Sequence, residues 1–368
     1  MANVTQFSRE EIEKIYNQPL LELVFQAAQV HREHQDSRKI QCATLLSVKT
    51  GGCAEDCGYC SQSAHHKPGK VKSKLIGLEE VKIAAKEARE AGSDRLCIGA
   101  AWRSFRNDKD LQSVKAMIRA IKDEGLESCA TMGMLTQKQA DELKEAGLDY
   151  YNHNLDTSPE YYSKVITTRT YQDRLDTLEA VRNADMKICS GGILGLGEEQ
   201  SDRIGLLEQL ANLEPQPESV PINVLVPIKD TPLANVTPID WVELVRAVAT
   251  ARILMPKSWV RMSAGREKLS EEAQAMCFMA GANSVFSGDR LLTTDNNKPD
   301  SDKILFQKLG LSKLEQNRPR NANLNTVESV EPPASQTPLS PISAPAQLIQ
   351  IGKKQSQEIS EDAHAYLG

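Results

Sequence analysis

The sequence predicts an α/β protein folded as a (β/α)8 barrel of the TIM type, and three features indicate this fold. Short apolar segments of strand length alternate with longer segments of helical periodicity, which is the pattern of a parallel sheet. Roughly eight such pairs fit into about 250 residues, the usual size of this barrel. Glycines stand where several helices should end, at Gly92, Gly125, Gly147 and Gly281. A doubly wound open sheet is the alternative, but it does not need eight units.

A helical extension is predicted first, over residues 8–36. Ser8 is a suitable N-cap, and Ile12, Ile15, Leu23 and Ala27 follow at helical spacing. Because this extension precedes the first predicted strand, we expect it to close one end of the fold.

The barrel elements follow in alternation. The predicted strands are short and apolar, and they cover residues 40–48, 95–100, 127–132, 150–155, 187–193, 220–226, 259–263 and 283–287. The predicted helices show apolar spacing of 3.6 residues, and they cover residues 78–91, 110–124, 136–146, 171–184, 200–213, 239–254 and 270–280.

The composition changes after about residue 316. Residues 317–357 are rich in Asn, Pro, Ser, Gln and Thr and contain few large apolar side chains. Such a segment cannot bury enough apolar surface to offset the entropy lost on ordering. The sequence therefore predicts two parts, a barrel over 1–316 and a low-complexity, disordered tail over 317–368.

Composition and charge exclude several classes of protein. The net charge of −6 gives no basic excess for binding nucleic acid or an anionic membrane. Residues 1–13 lack the apolar core of a signal peptide, and no segment approaches the roughly 20 apolar residues of a membrane span. Eight cysteines in such a chain favour metal binding or catalysis over a disulfide framework. We therefore expect a protein of the reducing cytoplasm.

The most informative segment is the loop after the first predicted strand, where Cys53, Cys57 and Cys60 follow the pattern C-x3-C-x2-C. Neighbouring glycines relax the backbone, so that three thiolates can converge on an iron–sulfur cluster or a zinc ion. A structural zinc ion needs four protein ligands, and no fourth cysteine follows nearby. Three ligands on a four-iron cluster would leave one iron open to a small molecule.

Strand parity identifies a second group of candidate residues. Side chains two residues apart on a strand share a face, and one face of the predicted strands is mainly polar. That face carries Arg95, Cys97, Gly99, Cys129, Thr131, Asn152, Asn154, Cys189, Gly191, Asn223, Arg261 and Ser263. The opposite face is apolar and carries Leu96, Ile98, Ala130, Leu155, Ile188, Ile222, Val224 and Val260. In a barrel the apolar face packs against the helices, and a polar lumen is costly unless something binds there.

These segments resemble the biotin synthase family of radical S-adenosylmethionine enzymes from about residue 10 to residue 316. The resemblance rests on the segments GGCAEDCGYCSQSAHH, RLCIGAAWR, YYNHNLDTSPEYY, ITTRTYQDRLDTLE, KICSGGILGLGE, PINVLVPIKDTPL and RMSAGRE. It implies a 4Fe-4S cluster bound by Cys53, Cys57 and Cys60, at which S-adenosylmethionine is cleaved to a 5′-deoxyadenosyl radical. It also implies sulfur insertion into dethiobiotin to form biotin, with a 2Fe-2S cluster as sulfur donor.

The resemblance further assigns residues to each ligand. Cys97, Cys129, Cys189 and Arg261 match the ligands of the 2Fe-2S cluster. The positions that match contacts to S-adenosylmethionine are Tyr59, Ala100, Asn154, Asp156 and Ile193. Those that match contacts to dethiobiotin are Asn154, Asn223, Thr293 and Thr294. A flavodoxin or ferredoxin as electron donor and a homodimer are implied as well.

Two alternatives remain open from the sequence. One is another radical S-adenosylmethionine barrel, of the methylornithine synthase or hydrogenase maturase type. The other is an iron–sulfur or zinc protein without catalysis, because a cysteine-rich loop alone does not establish a reaction. Cys42 and Cys277 are interpreted as ordinary buried side chains, since free cysteine packs as a small hydrophobe.

Overall fold

The computed structural model describes residues 6–66, 72–288, 290–292 and 294–314. The predicted tail, 317–368, lies outside the described residues. Eight parallel strand positions close into a barrel, since the first strand, Lys39–Lys49, pairs on one side with Arg95–Ala100 and on the other with Ser284–Phe286. The predicted (β/α)8 barrel is therefore confirmed.

All the strands pair in parallel, and they are β1 (Lys39–Lys49), β2 (Arg95–Ala100), β3 (Glu127–Thr131), β4 (Tyr150–Asn152), β5 (Lys187–Cys189), β6 (Gly192–Leu194), β7 (Ser219–Val224), β8 (Trp259–Met262), β9 (Ser284–Phe286) and β10 (Ser312–Lys313). Around the barrel they follow the order β1-β2-β3-β4-β5-β7-β8-β9, and β6 continues the fifth position beside β7. The α-helices are α1 (Arg9–Tyr16), α2 (Leu20–His34), α3 (Leu78–Glu90), α4 (Asp108–Asp123), α5 (Gln137–Glu145), α6 (Pro159–Val165), α7 (Tyr171–Asn183), α8 (Gln200–Ala211), α9 (Trp241–Leu254), α10 (Glu271–Met279) and α11 (Pro299–Leu309). A short 3₁₀ turn covers Arg266–Lys268.

The N-terminal extension differs from the single helix predicted over 8–36. Ser8 caps α1 as expected, but this helix ends before Pro19, which is the N-cap of the second helix, α2. Proline lacks the backbone N–H that a helix interior needs and disfavours helix in the residue before it. The two helices pack on the outer helices α8, α9 and α10, and Gln35, the C-cap of α2, donates to the Ser258 carbonyl oxygen at 3.0 Å.

The fifth predicted strand, over 187–193, is also divided in two. The break lies at Ser190 and Gly191. A Cβ at Gly191 would lie 1.9 Å from the Pro221 carbonyl oxygen of β7. This close approach of two backbones requires glycine. The fourth predicted strand is shorter than expected and ends at Asn152.

Three elements are absent from the sequence prediction. The N-terminus of α6 carries signals that could have identified it, since Ser158 caps it and a proline occupies its first turn. A proline begins α11 as well. The two residues of β10 extend the sheet edge beside β1 and are too few to give a pattern.

The predicted division between the two faces of the strands is confirmed except at Val224, which was predicted on the apolar outer face but lines a cavity at the carboxyl end of the barrel. The large apolar core lies between the barrel and its helices and includes Leu96, Ile98, Ala130, Leu155, Ile188, Ile222 and Val260. Among the described residues, no helix combines the length and the apolar character that crossing a bilayer requires.

Candidate active site

The loop that carries Cys53, Cys57 and Cys60 follows β1 at the carboxyl end of the barrel. Gly52 has a φ of +68°, a conformation that favours glycine. The Cys53 amide donates to the Gln62 carbonyl oxygen at 2.9 Å, and the Cys60 amide donates to the Cys57 carbonyl oxygen at 2.9 Å. The loop is thus folded back on itself, with its three cysteines on one short stretch of chain.

A latch, defined here as Asp56 with Thr167 and Thr168, fastens this loop to the segment between α6 and α7. The Asp56 carboxylate accepts from the amides of Thr167 at 2.9 Å and Thr168 at 3.2 Å. The Asp56 amide donates to the Thr168 hydroxyl at 3.1 Å. Burial opposes ionisation of Asp56, but these hydrogen bonds outweigh it and hold the pKa of its carboxyl well below the usual range.

Of the three cysteines of the loop, Cys57 is buried, and Cys53 and Cys60 are half-buried. Burial raises the pKa of Cys57 to about 12 and also raises the pKa of Cys53 and Cys60. Without a metal these thiols therefore hold their protons, and metal binding would displace them. Soft, buried thiolates of this kind fit iron–sulfur ligation.

Nowhere in the described ranges do three His, Cys, Asp or Glu side chains converge as ligands of one metal ion. An iron–sulfur cluster distributes its cysteines over several irons, so they need not converge on one point. The cysteine arrangement is therefore compatible with a cluster.

Above the barrel lumen lies an upper cavity of about 210 Å³. It brings together six of the predicted site residues, namely Tyr59, Asn154, Asp156, Ile193, Asn223 and Thr294. Asp156 has a φ of +68°, rare for a residue with a side chain, and its carboxylate accepts from the Tyr59 hydroxyl at 2.7 Å. Strained backbone held in place by its neighbours is typical of functional positions.

Arg174 was not identified from the sequence, although it holds this cavity in shape. The guanidinium is 3% exposed, pairs with the Asp156 carboxylate, and donates to the Asn154 carbonyl oxygen at 2.6 Å. Its Nε also donates to the Tyr162 hydroxyl at 2.9 Å. Only one signal could have revealed it, namely a charged residue on the face of α7 that otherwise buries Leu178 and Val181.

The lower cavity, of about 190 Å³, lies deeper in the lumen and is lined by Cys97, Cys129, Cys189 and Arg261. The two cavities adjoin each other, since both are lined by Leu45, Asn154, Asn223, Ser263, Phe286 and Leu292. Gly99 makes room for the Leu292 side chain, because a Cβ at position 99 would lie 2.8 Å from it. Strand parity therefore predicted the lumen correctly.

Sheet register aligns the three lumen thiols along the wall. Cys97 lies opposite Cys129, and Cys189 lies opposite Asn152, whose Nδ2 is 3.3 Å from the Cys189 sulfur. Hydrogen bonding to Cys129, and then the charges of Arg261 and Arg95, lower the pKa of Cys189 to about 5. A thiolate is thus favoured in this buried lumen, as a metal ligand requires.

Arg261 is 1% exposed and reaches the lumen from β8. Its Nε donates to the Ser284 hydroxyl at 2.8 Å, and its Nη2 donates to Gln41 Oε1 at 3.1 Å. Its guanidinium carbon lies 4.7 Å from the centroid of the Phe286 ring. Three neighbours thus fix this side chain beside the thiols.

One predicted residue, Ala100, lies apart from the cavities. Ala100 ends β2 and is not among the described residues that line either cavity, and its carbonyl oxygen accepts from the Trp102 amide at 2.8 Å. Thr293 lies outside the described residues. Asn223 is partly engaged already, donating to the Gly192 carbonyl oxygen at 3.0 Å and accepting from the Ala264 amide at 3.2 Å.

Comparison with known proteins gives two family matches. Residues 47–210 match the Radical SAM superfamily, and residues 221–312 match the Biotin and Thiamin Synthesis associated domain. The chain is 58% identical over 309 residues to a biotin synthase of Legionella pneumophila (strain Corby), covering 84% of this chain and 98% of that protein. It is 59% identical over 302 residues to a biotin synthase of Acidithiobacillus ferrooxidans, covering 82% and 95%.

Solved structures show the same fold at low sequence identity. The FeFe-hydrogenase maturase HydG from Carboxydothermus hydrogenoformans superposes with a TM-score of 0.72 at 21% identity, covering 84% of this chain and 76% of that chain. Methylornithine synthase (PylB) superposes with a TM-score of 0.71 at 16% identity, covering 84% and 95%.

Proposed function

The chain belongs to the biotin synthase family of radical S-adenosylmethionine enzymes, and on that premise we propose how its two sulfur-bearing sites cooperate. It is an enzyme that forms biotin from dethiobiotin, with a 4Fe-4S cluster and S-adenosylmethionine as cofactors. The finer proposal assigns the 4Fe-4S cluster to Cys53, Cys57 and Cys60. A 2Fe-2S cluster, the sulfur donor, is assigned to the lumen set, defined as Cys97, Cys129, Cys189 and Arg261.

One observation carries this assignment: the upper and lower cavities share six lining residues, with Tyr59 of the cysteine loop lining the upper cavity and the lumen set lining the lower one. When bound, the cofactors supply a carbon radical that can take hydrogen from unactivated C–H bonds, and the sulfur that replaces it. The chain itself supplies orientation and the exclusion of water. Leu45, Phe286 and Leu292, which line both cavities, provide the apolar wall for that purpose.

S-adenosylmethionine is proposed to occupy the upper cavity. Asp156 is the acceptor for ribose hydroxyls there, because Tyr59 and Arg174 fix its carboxylate on the cavity wall. Asn154 and Ile193 line the same wall, and Ala100 is proposed to contribute only backbone contacts.

Dethiobiotin is proposed to lie between the upper cavity and the lumen set. Asn154 and Asn223 line both cavities, and their amides complement the donors and acceptors of a ureido ring. Thr294 lines the upper cavity and is proposed, with Thr293, to bind the substrate carboxylate.

Iron and sulfide analysis after anaerobic reconstitution tests the proposal. A chain with both clusters holds about six irons, a chain with one cluster about four, and a zinc protein essentially none. We expect about six irons, and biotin as the product from dethiobiotin under reducing conditions. Four irons with normal cleavage of S-adenosylmethionine would refute the lumen cluster and favour a one-cluster relative.

The cellular setting is part of the proposal. All eight cysteines lie in the described part of the chain and none forms a disulfide there, which suits a reducing cytoplasm. A flavodoxin or ferredoxin is proposed as the electron donor, and a homodimer as the assembly. Sedimentation of the reconstituted protein tests the dimer, and a monomer at micromolar concentration would contradict it.

A further inference from the structure

A second buried guanidinium lies below the lumen thiols, and we propose that Arg95 acts on the 2Fe-2S cluster as a positioning residue. In this role it supplies positive charge and a hydrogen-bond donor to the thiolate side of the cluster. Arg95 is fully buried and precedes Cys97 by two residues on β2, so both side chains face the lumen. The inference rests on the proposed lumen cluster.

Arg95 is held from two sides. Its Nε and Nη2 donate to Glu127 Oε2 at 3.1 and 2.9 Å. Its guanidinium carbon lies 3.4 Å from the centroid of the Tyr150 ring. Both neighbours fix the plane of the guanidinium, which limits the directions that its remaining N–H groups can take.

One nitrogen of this fixed group has no use within the described protein. Arg95 Nη1 is buried and has no hydrogen-bond partner among the described residues. A buried charged donor without an acceptor is costly, so its retention calls for an explanation. The sulfur atoms of a cluster held by Cys97 and Cys129, two residue pairs farther along the same strands, would provide acceptors.

Arg95 also shares a network with Arg261. Glu127 Oε2, which accepts from Arg95, lies 3.5 Å from Gln41 Nε2, and Gln41 Oε1 accepts from Arg261. The two arginines therefore approach the thiols from different strands of the barrel and are joined beneath them.

The other explanation is purely structural, because residues at the lower end of such barrels generally serve stability. The two explanations differ in their effect on the cluster. Arg95 pairs with Glu127, so removing its charge would leave the carboxylate of Glu127 without this counter-charge near the cluster. A structural residue would change the stability of the chain without changing the reduction potential in a charge-dependent direction.

The test is a redox titration of the reconstituted full chain, followed at the absorbance of the 2Fe-2S cluster. We expect Arg95→Met to lower the potential and Glu127→Gln to raise it, because the two changes remove opposite charges. Lys187→Met is the matched control. Lys187 lies 5.1 Å from the centroid of the same Tyr150 ring but is 52% exposed, so solvent screens its charge and its shift should be smaller.

Unchanged potentials in Arg95→Met and Glu127→Gln, or a shift in Lys187→Met equal to that in Arg95→Met, would overturn the inference. Should Arg95→Met hold no 2Fe-2S cluster, Glu127→Gln decides alone, because it keeps the arginine and removes the carboxylate that pairs with both Arg95 and Lys187. Iron analysis of the unsubstituted chain separates the two levels of the argument. Four irons there would refute the lumen cluster itself, whereas six irons with unshifted variants would refute only the role of Arg95.

Discussion

The cysteine loop and the lumen set hold the same kind of side chain by different means. Three cysteines of the loop lie on one short stretch of chain, whereas the lumen set comes from β2, β3, β5 and β8. The loop depends on the latch to segment 166–170 for its position, while sheet register fixes the lumen set. A site on a loop is open to a small molecule but needs external anchors, and a site on strands is rigid and enclosed.

The largest expected effect separates the two sites by function. Cys53→Ala should abolish cleavage of S-adenosylmethionine, because the four-iron cluster loses one of its three protein ligands. Cys129→Ala should retain that cleavage and the four irons but form no biotin. The measurement is 5′-deoxyadenosine and biotin by mass spectrometry, with iron content for each variant. Normal 5′-deoxyadenosine formation by Cys53→Ala would contradict the role assigned to the loop.

The same contrast explains how far the sequence could be interpreted. The loop is a local pattern, so its spacing alone predicted three cooperating cysteines. The residues of the lumen set lie far apart in the sequence, but the alternation of side chains along each strand identified them. Every strand of the barrel directs every second side chain to the lumen. Barrel closure followed from the number of βα pairs.

What the sequence could not predict depends on contacts between distant segments. The latch joins Asp56 to residues more than a hundred positions away, and no local pattern marks such a pair. Arg174 looks like one more helical arginine until its burial against Asp156 is seen. The close approach of Gly191 to the Pro221 carbonyl oxygen of another strand cannot be inferred from the sequence around Gly191.

The next prediction concerns Arg174, which contacts Asp156 and Asn154 of the upper cavity, between the two proposed cluster sites. Arg174→Met should destabilise the chain by about 3–5 kcal/mol, because it leaves the Asp156 carboxylate buried without its counter-charge. It should also weaken binding of S-adenosylmethionine. Chemical unfolding and equilibrium binding measure the two effects. Arg182→Met is the matched control on the same helix, since Arg182 pairs with Glu218 in a partly exposed setting and should cost about 1 kcal/mol or less. Equal losses in both variants would contradict the proposed role of Arg174.

A smaller and more selective effect is expected for Arg261→Met. An oxidised two-iron core carries two positive charges and three thiolates carry three negative ones, so a charged arginine restores neutrality in a buried lumen. Removing it should make the 2Fe-2S cluster harder to reduce and leave the 4Fe-4S cluster unchanged. A redox titration followed at the absorbance of each cluster checks this. An unchanged or raised potential, with both clusters intact, would mean that Arg261 does not supply the charge.

The smallest expected effect tests the latch, the external anchor that the lumen set does not need. Asp56→Asn should cost about 1 kcal/mol in the free energy of unfolding, because the amide keeps one acceptor oxygen but loses the charge that strengthens the hydrogen bonds from Thr167 and Thr168.

The pKa of Asp56 is lowered in the folded chain, so its contribution is fully present above the unfolded pKa, near 3.8, and disappears as the pH falls through the folded pKa. The difference in unfolding free energy between the unsubstituted chain and Asp56→Asn should therefore be constant above about pH 5 and shrink below it. Urea unfolding of the iron-free chain at a series of pH values measures this without interference from acid loss of the clusters. Asp176→Asn is the control, since Asp176 is exposed and bonds only to Gln172 of its own helix in the described contacts. A difference for Asp56→Asn that stays constant into acid would show that the charge of Asp56 does not stabilise the latch, and the anchoring of the loop would then rest on the Gly58 amide and the Val165 carbonyl oxygen, 2.9 Å apart.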